Sequence, residues 1–169
     1  FQDQIANLIS DKFDLSLRVG WLKDSSMRVA KLVPMQPIIC ASSDYLKAHG
    51  TPKNIADIKK HRWIALSVLP SPSKWSLRQS STGKQVTLSF NPAGVVCSPM
   101  GLYGCVRAGM GIGFCPDYQV AQDLKEGRLK QLLPRYKART GGIYAVFPYQ
   151  GVPPLRVQRL IEYLKEAYV

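Results

Sequence analysis

The sequence is short of acid. Its 169 residues hold 11 Asp and Glu against 23 Lys and Arg, a formal net charge of +12. Histidine is scarcer still, with His49 and His61 the only imidazoles. No apolar run approaches the roughly 18 residues that a membrane span needs, so no membrane partner is expected. The opening "FQDQIANLISDKFDL" has no basic segment leading into an apolar stretch, which argues against a secretory leader. It also has no initiator Met, and the chain reads as a piece of something longer. The sequence lacks a "GxSxG" elbow, a "GKS" or "GKT" after a glycine loop, and any pair of cysteines two residues apart. Those absences exclude the usual hydrolase nucleophile, a P-loop, and a zinc knuckle or dithiol redox motif. No His, Asp and Glu cluster shows metal spacing. No metal, cofactor or catalytic residue is expected, and the chain does not read as an enzyme.

What is present suffices for a folded protein. Hydrophobic residues make up 46% of the chain, enough for a buried core. Cys40, Cys97, Cys105 and Cys115 are the four cysteines. Cys40 and Cys115 sit in apolar, strand-like runs where a free thiol behaves as a small hydrophobe, which suits a reducing, cytoplasmic compartment. The basic residues are spread, densest at Lys59-Lys60-His61-Arg62 and in the series Arg128, Lys130, Arg135, Lys137, Arg139. The plain reading of these is a solvated face; the sharper one is an anion site or a surface lying near DNA.

Strand and helix patterns alternate along most of the length, the pattern of an α/β protein. Residues 2–11 place Ile5, Leu8 and Ile9 on one helical face. "DLSLRVG", "MRVAKLVP" and "QPIICAS" read as strands. Ser43 is expected to cap a short helix closed by Gly50, and Asn54 or Thr51 the next. "RWIALS" is a strand, "KWSLRQ" and "KQVTLSF" form a hairpin around "SSTG", and "AGVVCS" is another strand. Ser98 followed by Pro99 is a strong helix start, since Pro needs no amide partner there. That helix ends at Gly109. "GIGFCP" is a strand, "DYQVAQDLKEG" a helix, "RLKQLL" and "GGIYAVFPY" strands, and the last helix sets Val157, Leu160, Ile161, Leu164 and Tyr168 on one face. His49 and His61 end helices, where a cation suits the dipole. Asp57, Asp117, Asp123 and Glu126 are expected mostly on polar helical faces.

The three glycines of "AGMGIG" decide between a nucleotide site and something plainer. A dinucleotide loop places its glycines after a strand and at a helix start, where amides face the phosphates. Here the order is reversed: the glycines follow a helix and open a strand. Gly109 reads as a helix C-cap, and Gly111 and Gly113 as residues that let the strand pass close beneath that helix. The anion-friendly end is the other one, at Ser98-Pro99-Met100, where a carboxylate would gain about 0.3–1 kcal/mol from the dipole.

Three ordered stretches carry a family likeness: "CASSDYLKAHGTPKNIADIKKHRW", "AGMGIGFCPDYQVAQDLKEGRL" and "YAVFPY". Over nearly its whole length the chain resembles the effector-binding domain of LysR-type transcriptional regulators. The resemblance implies an α/β, two-lobed, periplasmic-binding-protein-like domain with two crossover segments, near Met35–Cys40 and Arg135–Ala145. Lobe I would comprise residues 1–37 with 135–169, and lobe II residues 38–134. The first lobe would be incomplete, since the family's opening strand, helix and strand are missing, as is its winged helix-turn-helix.

The function implied is small-molecule (inducer) sensing and oligomerisation within a DNA-binding regulator. The partners would be a small-molecule effector, anionic or aromatic, and further copies of the chain. DNA would be met only through a helix-turn-helix domain that this chain does not contain. Effector contacts, carried over by position, would be Gly20 and Trp21, Ser67 and Val68, Ser98, Pro99 and Met100, and Pro116. A solute-binding protein of a transport system is the alternative on the same fold. Cys97 and Cys105 do not match the peroxide-sensing cysteine pair known in one branch of the family, so that mechanism is not carried over.

Overall fold

Strand β1 (Ser16–Gly20) turns Leu17 and Val19 to one side and Ser16 and Arg18 to the other, as its period-two pattern requires. β2 (Arg28–Met35) follows, and β3 (Pro37–Ser42) opens on a Pro, a position that needs no amide donor. The structure, a computed structural model, describes residues 13–22, 27–96, 98–148 and 152–167. The helix expected over residues 2–11, Cys97 and Tyr168 lie outside the described residues.

Helix α1 (Ser43–His49) is capped by Ser42, not by the expected Ser43: the Ser42 hydroxyl accepts from the Tyr45 amide at 3.1 Å. Ser43 is the first helical residue, and its hydroxyl reaches the Gly127 carbonyl at 2.5 Å instead. α2 (Ile55–Ile58) starts at Asn54, whose side chain accepts from the Ala56 and Asp57 amides. β4 (Trp63–Leu66) is followed by the hairpin of β5 (Lys74–Gln79) and β6 (Gln85–Ser89), then by β7 (Pro92–Val96). α3 (Pro99–Arg107) has Ser98 as N-cap and Pro99 in its first turn. After it come β8 (Gly113–Pro116), α4 (Asp117–Lys125), β9 (Leu129–Gln131), β10 (Tyr136–Ala138), β11 (Gly141–Phe147) and α5 (Leu155–Ala167).

The chain divides into two units, Phe1–Met35 with Thr140–Val169, and Gln36–Arg139. In the first, β11 lies between β1 and β2 and is antiparallel to both. α5 lays Val157 and Ile161 on Ala145 and Phe147, with Leu15, Ala30 and Leu32 at the margin. Leu160, expected on that apolar face, is 44% exposed.

The second unit holds the larger core. β3 runs antiparallel between β8 and β9, and β4 pairs parallel with β7. A parallel bridge from Trp63 to Ile112 joins the two groups, through Ile64 N–H to the Ile112 carbonyl at 2.9 Å and Ile112 N–H to the Arg62 carbonyl at 2.8 Å. β4, β7 and β8 therefore run the same way. A third sheet, in the order β10-β5-β6, turns Leu77 and Leu88 onto the same core. Trp63 is its anchor: fully buried, stacked on Phe90 at 4.1 Å, with its indole N–H given to the Ile58 carbonyl at 2.9 Å.

The glycines have the plain explanation. Gly109 has φ 76° beyond the end of α3, a conformation in which an L side chain is strained. A Cβ on Gly113 would stand 2.7 Å from Val106 Cγ2 and 3.0 Å from Leu102 Cδ1, so β8 does pass directly beneath α3. Gly111 answers to a different neighbour: its Cβ would meet the Arg62 carbonyl oxygen at 2.5 Å, where β8 joins β4.

Candidate functional site

The parallel strands β4, β7 and β8 end along one edge of the sheet in the second unit. In open α/β sheets such carboxyl edges are where ligands bind. Six of the residues singled out in the sequence follow or end these strands. Ser67 and Val68 come after β4; Ser98, Pro99 and Met100 come after β7; Pro116 ends β8.

The pairing of Leu66 with Val96 sets the first two groups side by side. Ser67 donates its amide to the Val96 carbonyl at 2.9 Å and its hydroxyl to the same oxygen at 3.2 Å. Ser98 Oγ accepts from the Gly101 amide at 3.4 Å, and the Leu102 amide closes on the Ser98 carbonyl at 2.9 Å. Pro99 has no amide, so the Met100 N–H is the first-turn donor without a partner inside the helix. Val68 is 53% and Met100 66% exposed, which leaves an apolar side chain turned to solvent after each of these two strands.

Pro116 opens α4 but offers less. The Asp117 amide is taken by the Gln36 carbonyl at 3.0 Å and the Tyr118 amide by Asp117 Oδ1 at 3.0 Å. α4 adds a residue that the sequence did not suggest. Gln119 Nε2 lies 3.1 Å from Met100 Sδ, and its Oε1 is buried without a hydrogen-bond partner. Nothing in a single sequence marks Gln119, because its neighbour on α3 is 19 residues away. Gly20 and Trp21 belong to the other unit. Gly20 ends β1 opposite Gly142 with φ 129°, which disfavours any side chain, and Trp21 follows half-buried.

One charged group was misplaced by the sequence reading. Asp123 is not on a polar face: it is 2% exposed. Tyr103 donates to its Oδ2 at 2.6 Å, Arg128 to its Oδ1, and Arg107 lies 3.3 Å away. Burial pushes the Asp123 pKa up, but the hydrogen bonds from Tyr103 and Arg128 and the charges of Arg128 and Arg107 outweigh it and hold it below the usual value. The same bond raises the Tyr103 phenol. This cluster fastens α3, α4 and the start of β9 together. Its signal was available: Asp123 lies between the buried Val120 and the half-buried Leu124, on the inner stripe of α4.

The two buried thiols are quiet. Cys40 and Cys115 are fully buried in one apolar cluster, with Cys105 at its edge. A hydrogen bond with Cys40, then burial, pushes the Cys115 thiol up, away from the thiolate form that reacts. A separate surface cleft of about 310 Å³ is lined by Tyr45, His49, Asp57, Lys60, His61 and Arg62. His49 Nδ1 meets the Tyr45 carbonyl at 3.1 Å, as a residue ending α1 can, and His61 Nδ1 meets the Tyr45 hydroxyl at 3.2 Å. Among the described residues no group of three or more His, Cys, Asp or Glu could hold a metal ion, and no helix is long and apolar enough to cross a membrane.

The family model described as the LysR substrate binding domain matches residues 1–169. The chain belongs to the LysR substrate-binding domain family. Among its curated relatives is the HTH-type transcriptional activator AaeR of Escherichia coli K12, 34% identical over 170 residues that cover 96% of this chain and 52% of that protein. Another is the HTH-type transcriptional regulator PtxR of Pseudomonas aeruginosa, 30% identical over 164 residues, 97% of this chain and 52% of that protein. The chain thus spans about half the length of these relatives. The regulatory domain of CrgA, a LysR-type transcriptional regulator from Neisseria meningitidis, superposes with a TM-score of 0.81 at 28% identity, over 95% of this chain and 78% of that one. The α/β fold of this LysR-family chain is therefore that of LysR-type regulatory domains, and the relatives are regulators rather than transport proteins.

Proposed function

We propose that this chain is the effector-sensing and oligomerising part of a LysR-type, DNA-binding transcriptional regulator that works in the cytoplasm and performs no reaction on its ligand. The two units serve as the lobes of the sensor. The observation that carries the reading is the shared carboxyl edge of β4, β7 and β8, which gathers Ser67, Val68, Ser98, Pro99, Met100 and Pro116. Its first-turn amide and helix dipole suit a carboxylate, and Met100 and Val68 suit an apolar or aromatic body. The unpartnered Gln119 Oε1 would accept a ligand donor; Gly20 and Trp21 are the contacts expected from the other unit. A ligand with different affinity for two conformations of the domain shifts their populations, and that shift is the signal. DNA is read by a helix-turn-helix elsewhere in the protein. Copies associate in part through the first unit, where Leu17 and Val19 stand 46% and 53% exposed on one strand.

The test is a thermal-shift screen of small aliphatic and aromatic carboxylates. A true effector at a hundred times its dissociation constant adds about 2.7 kcal/mol of stability. Ser98→Ala and Met100→Glu should abolish that shift while leaving the unliganded protein folded. A shift that survives both substitutions would place the ligand elsewhere. Light scattering of the chain should report more than one copy, and a strict monomer would remove the oligomerising role.

A further inference from the structure

Most of the net basic charge falls in the second unit, chiefly because acids are scarce there. Residues 36–139 carry 15 of the 23 Lys and Arg but only 5 of the 11 Asp and Glu, and no acid occurs from residue 58 to 116 or from 127 to 161. The sheet β10-β5-β6 is built from those acid-free stretches. Its inner face carries Trp75, Leu77 and Leu88 into the core. Its outer face is set by register: Lys137 opposite Arg78, Arg78 opposite Gln85, Ser76 opposite Thr87, and Lys74 opposite Ser89, all exposed. Lys84 stands at the hairpin turn, where the Arg78 guanidinium also lies 3.5 Å from the place a Gly83 Cβ would take. Among the described residues no carboxylate pairs with Lys74, Arg78, Lys84 or Lys137.

We propose that this outer face is a contact surface for the phosphate backbone of duplex DNA, additional to the base-reading domain of the whole regulator. Three features favour DNA over a protein partner. The face has cations, hydroxyls and an amide, the donors that make most phosphate and sugar contacts. It has no aromatic or aliphatic side chain to serve as the buried anchor that a protein interface needs. Its cations are also spaced out along the strands, with Lys74 and Arg78 roughly 13 Å apart along β5 and Lys137 about 5 Å across from Arg78, a spread suited to a rod bearing one charge per about 1.7 Å of axis. The proposal rests on the reading of the chain as part of a DNA-binding regulator, since that membership keeps the surface near DNA.

Fluorescence anisotropy of a random-sequence, labelled duplex with the 169-residue chain tests it. Four phosphate contacts predict a slope of log affinity against log salt of about −3.6, a fall of about 150-fold between 50 and 200 mM salt. Lys74→Ala, Arg78→Ala and Lys137→Ala together should reduce that fall to about 3- to 4-fold and weaken binding at 50 mM salt. A control removing the same charge from exposed sites elsewhere, Lys31→Ala, Lys125→Ala and Lys165→Ala, should keep most of the affinity and slope; circular dichroism melting confirms that both are folded. Equal loss in the two variants, or no binding at 50 mM salt, overturns the surface. So does polyglutamate that binds as tightly as DNA, which would point to an acidic protein instead. The carboxylate thermal shift separates the two ideas: an unsubstituted chain that gives the shift but binds no DNA at 50 mM salt loses only this surface and leaves the sensing function standing, and the triple variant should keep the shift.

Discussion

Replacing Gly111 by Ala isolates the closest backbone approach in the second unit. The added Cβ would stand 2.5 Å from the Arg62 carbonyl oxygen and 3.1 Å from its carbon, roughly an ångström inside an ordinary contact. That oxygen accepts the Ile112 amide at 2.8 Å, and the Ile112 carbonyl accepts Ile64 N–H at 2.9 Å. The obstacle is main chain, so no rotamer change relieves it. Losing two backbone hydrogen bonds costs about 2 kcal/mol net. Overpacking strain adds about 1–3 kcal/mol. The expected loss is about 3–5 kcal/mol, or roughly 6–20 °C in melting temperature for a chain of this size. Gly113→Ala should cost less, about 1–3 kcal/mol, because the atoms in its way belong to the Val106 and Leu102 side chains, which can turn. Gly104→Ala, on an exposed site within α3 with nothing inside 4 Å, should stabilise by about 0.5–1 kcal/mol. Urea unfolding followed by tryptophan fluorescence reads all three, since Trp63 and Trp75 both report on this unit. If Gly111→Ala falls within 1 kcal/mol of the parent, or no more than Gly113→Ala, the close passage of β8 past Arg62 is wrong.

Asp123→Asn should lose about 2 kcal/mol at pH 7, the charged hydrogen bonds to Tyr103 and Arg128 being replaced by weaker ones. Because the folded carboxyl titrates below its ordinary value of 3.8, its contribution is complete above that pH and is lost as pH falls through the lowered pKa; denaturation at pH 7 and pH 3 should show the gap closing. Asp44→Ala removes an ion pair whose side chains are 89% and 78% exposed, and chemical unfolding should change by under about 0.5 kcal/mol. His61 has a lowered pKa, first from burial and then from the charge of His49, with Asp57 opposing. The unfolded chain therefore takes up that proton first, so stability should fall as pH drops below 6.5, and His61→Gln should flatten the melting curve between pH 7 and 5.

The punctuation of the chain was legible because it is local. Ser98 and Pro99 start α3, Gly109 lies just past its end, Asn54 caps α2, and "SSTG" turns the hairpin, each through bonds spanning a few residues. Where two neighbours could do the same local job, the sequence could not choose. Ser42 rather than Ser43 caps α1 because Ser43 is drawn to the Gly127 carbonyl, 84 residues away. Tyr136–Ala138 escaped notice because three residues have no period; its strand exists only through pairing with β5. Gln119 and Asp123 owe their roles to α3, which α4 meets only after folding.

The order of residues alone indicated an α/β chain, marked the start of α3 at Ser98 and Pro99 and of α2 at Asn54, and put the glycine-rich turn after a helix rather than at the start of one. Only the tertiary structure decided which strand lies between which, that Ser67 and Ser98 share an edge, that Asp123 is buried between two arginines, and that Lys137 stands beside Arg78. The division has one physical cause. Capping and turn geometry are settled by dihedral angles and hydrogen bonds among near neighbours, whereas pairing and burial depend on groups far apart in the chain, whose meeting is chosen by the energy of the whole core.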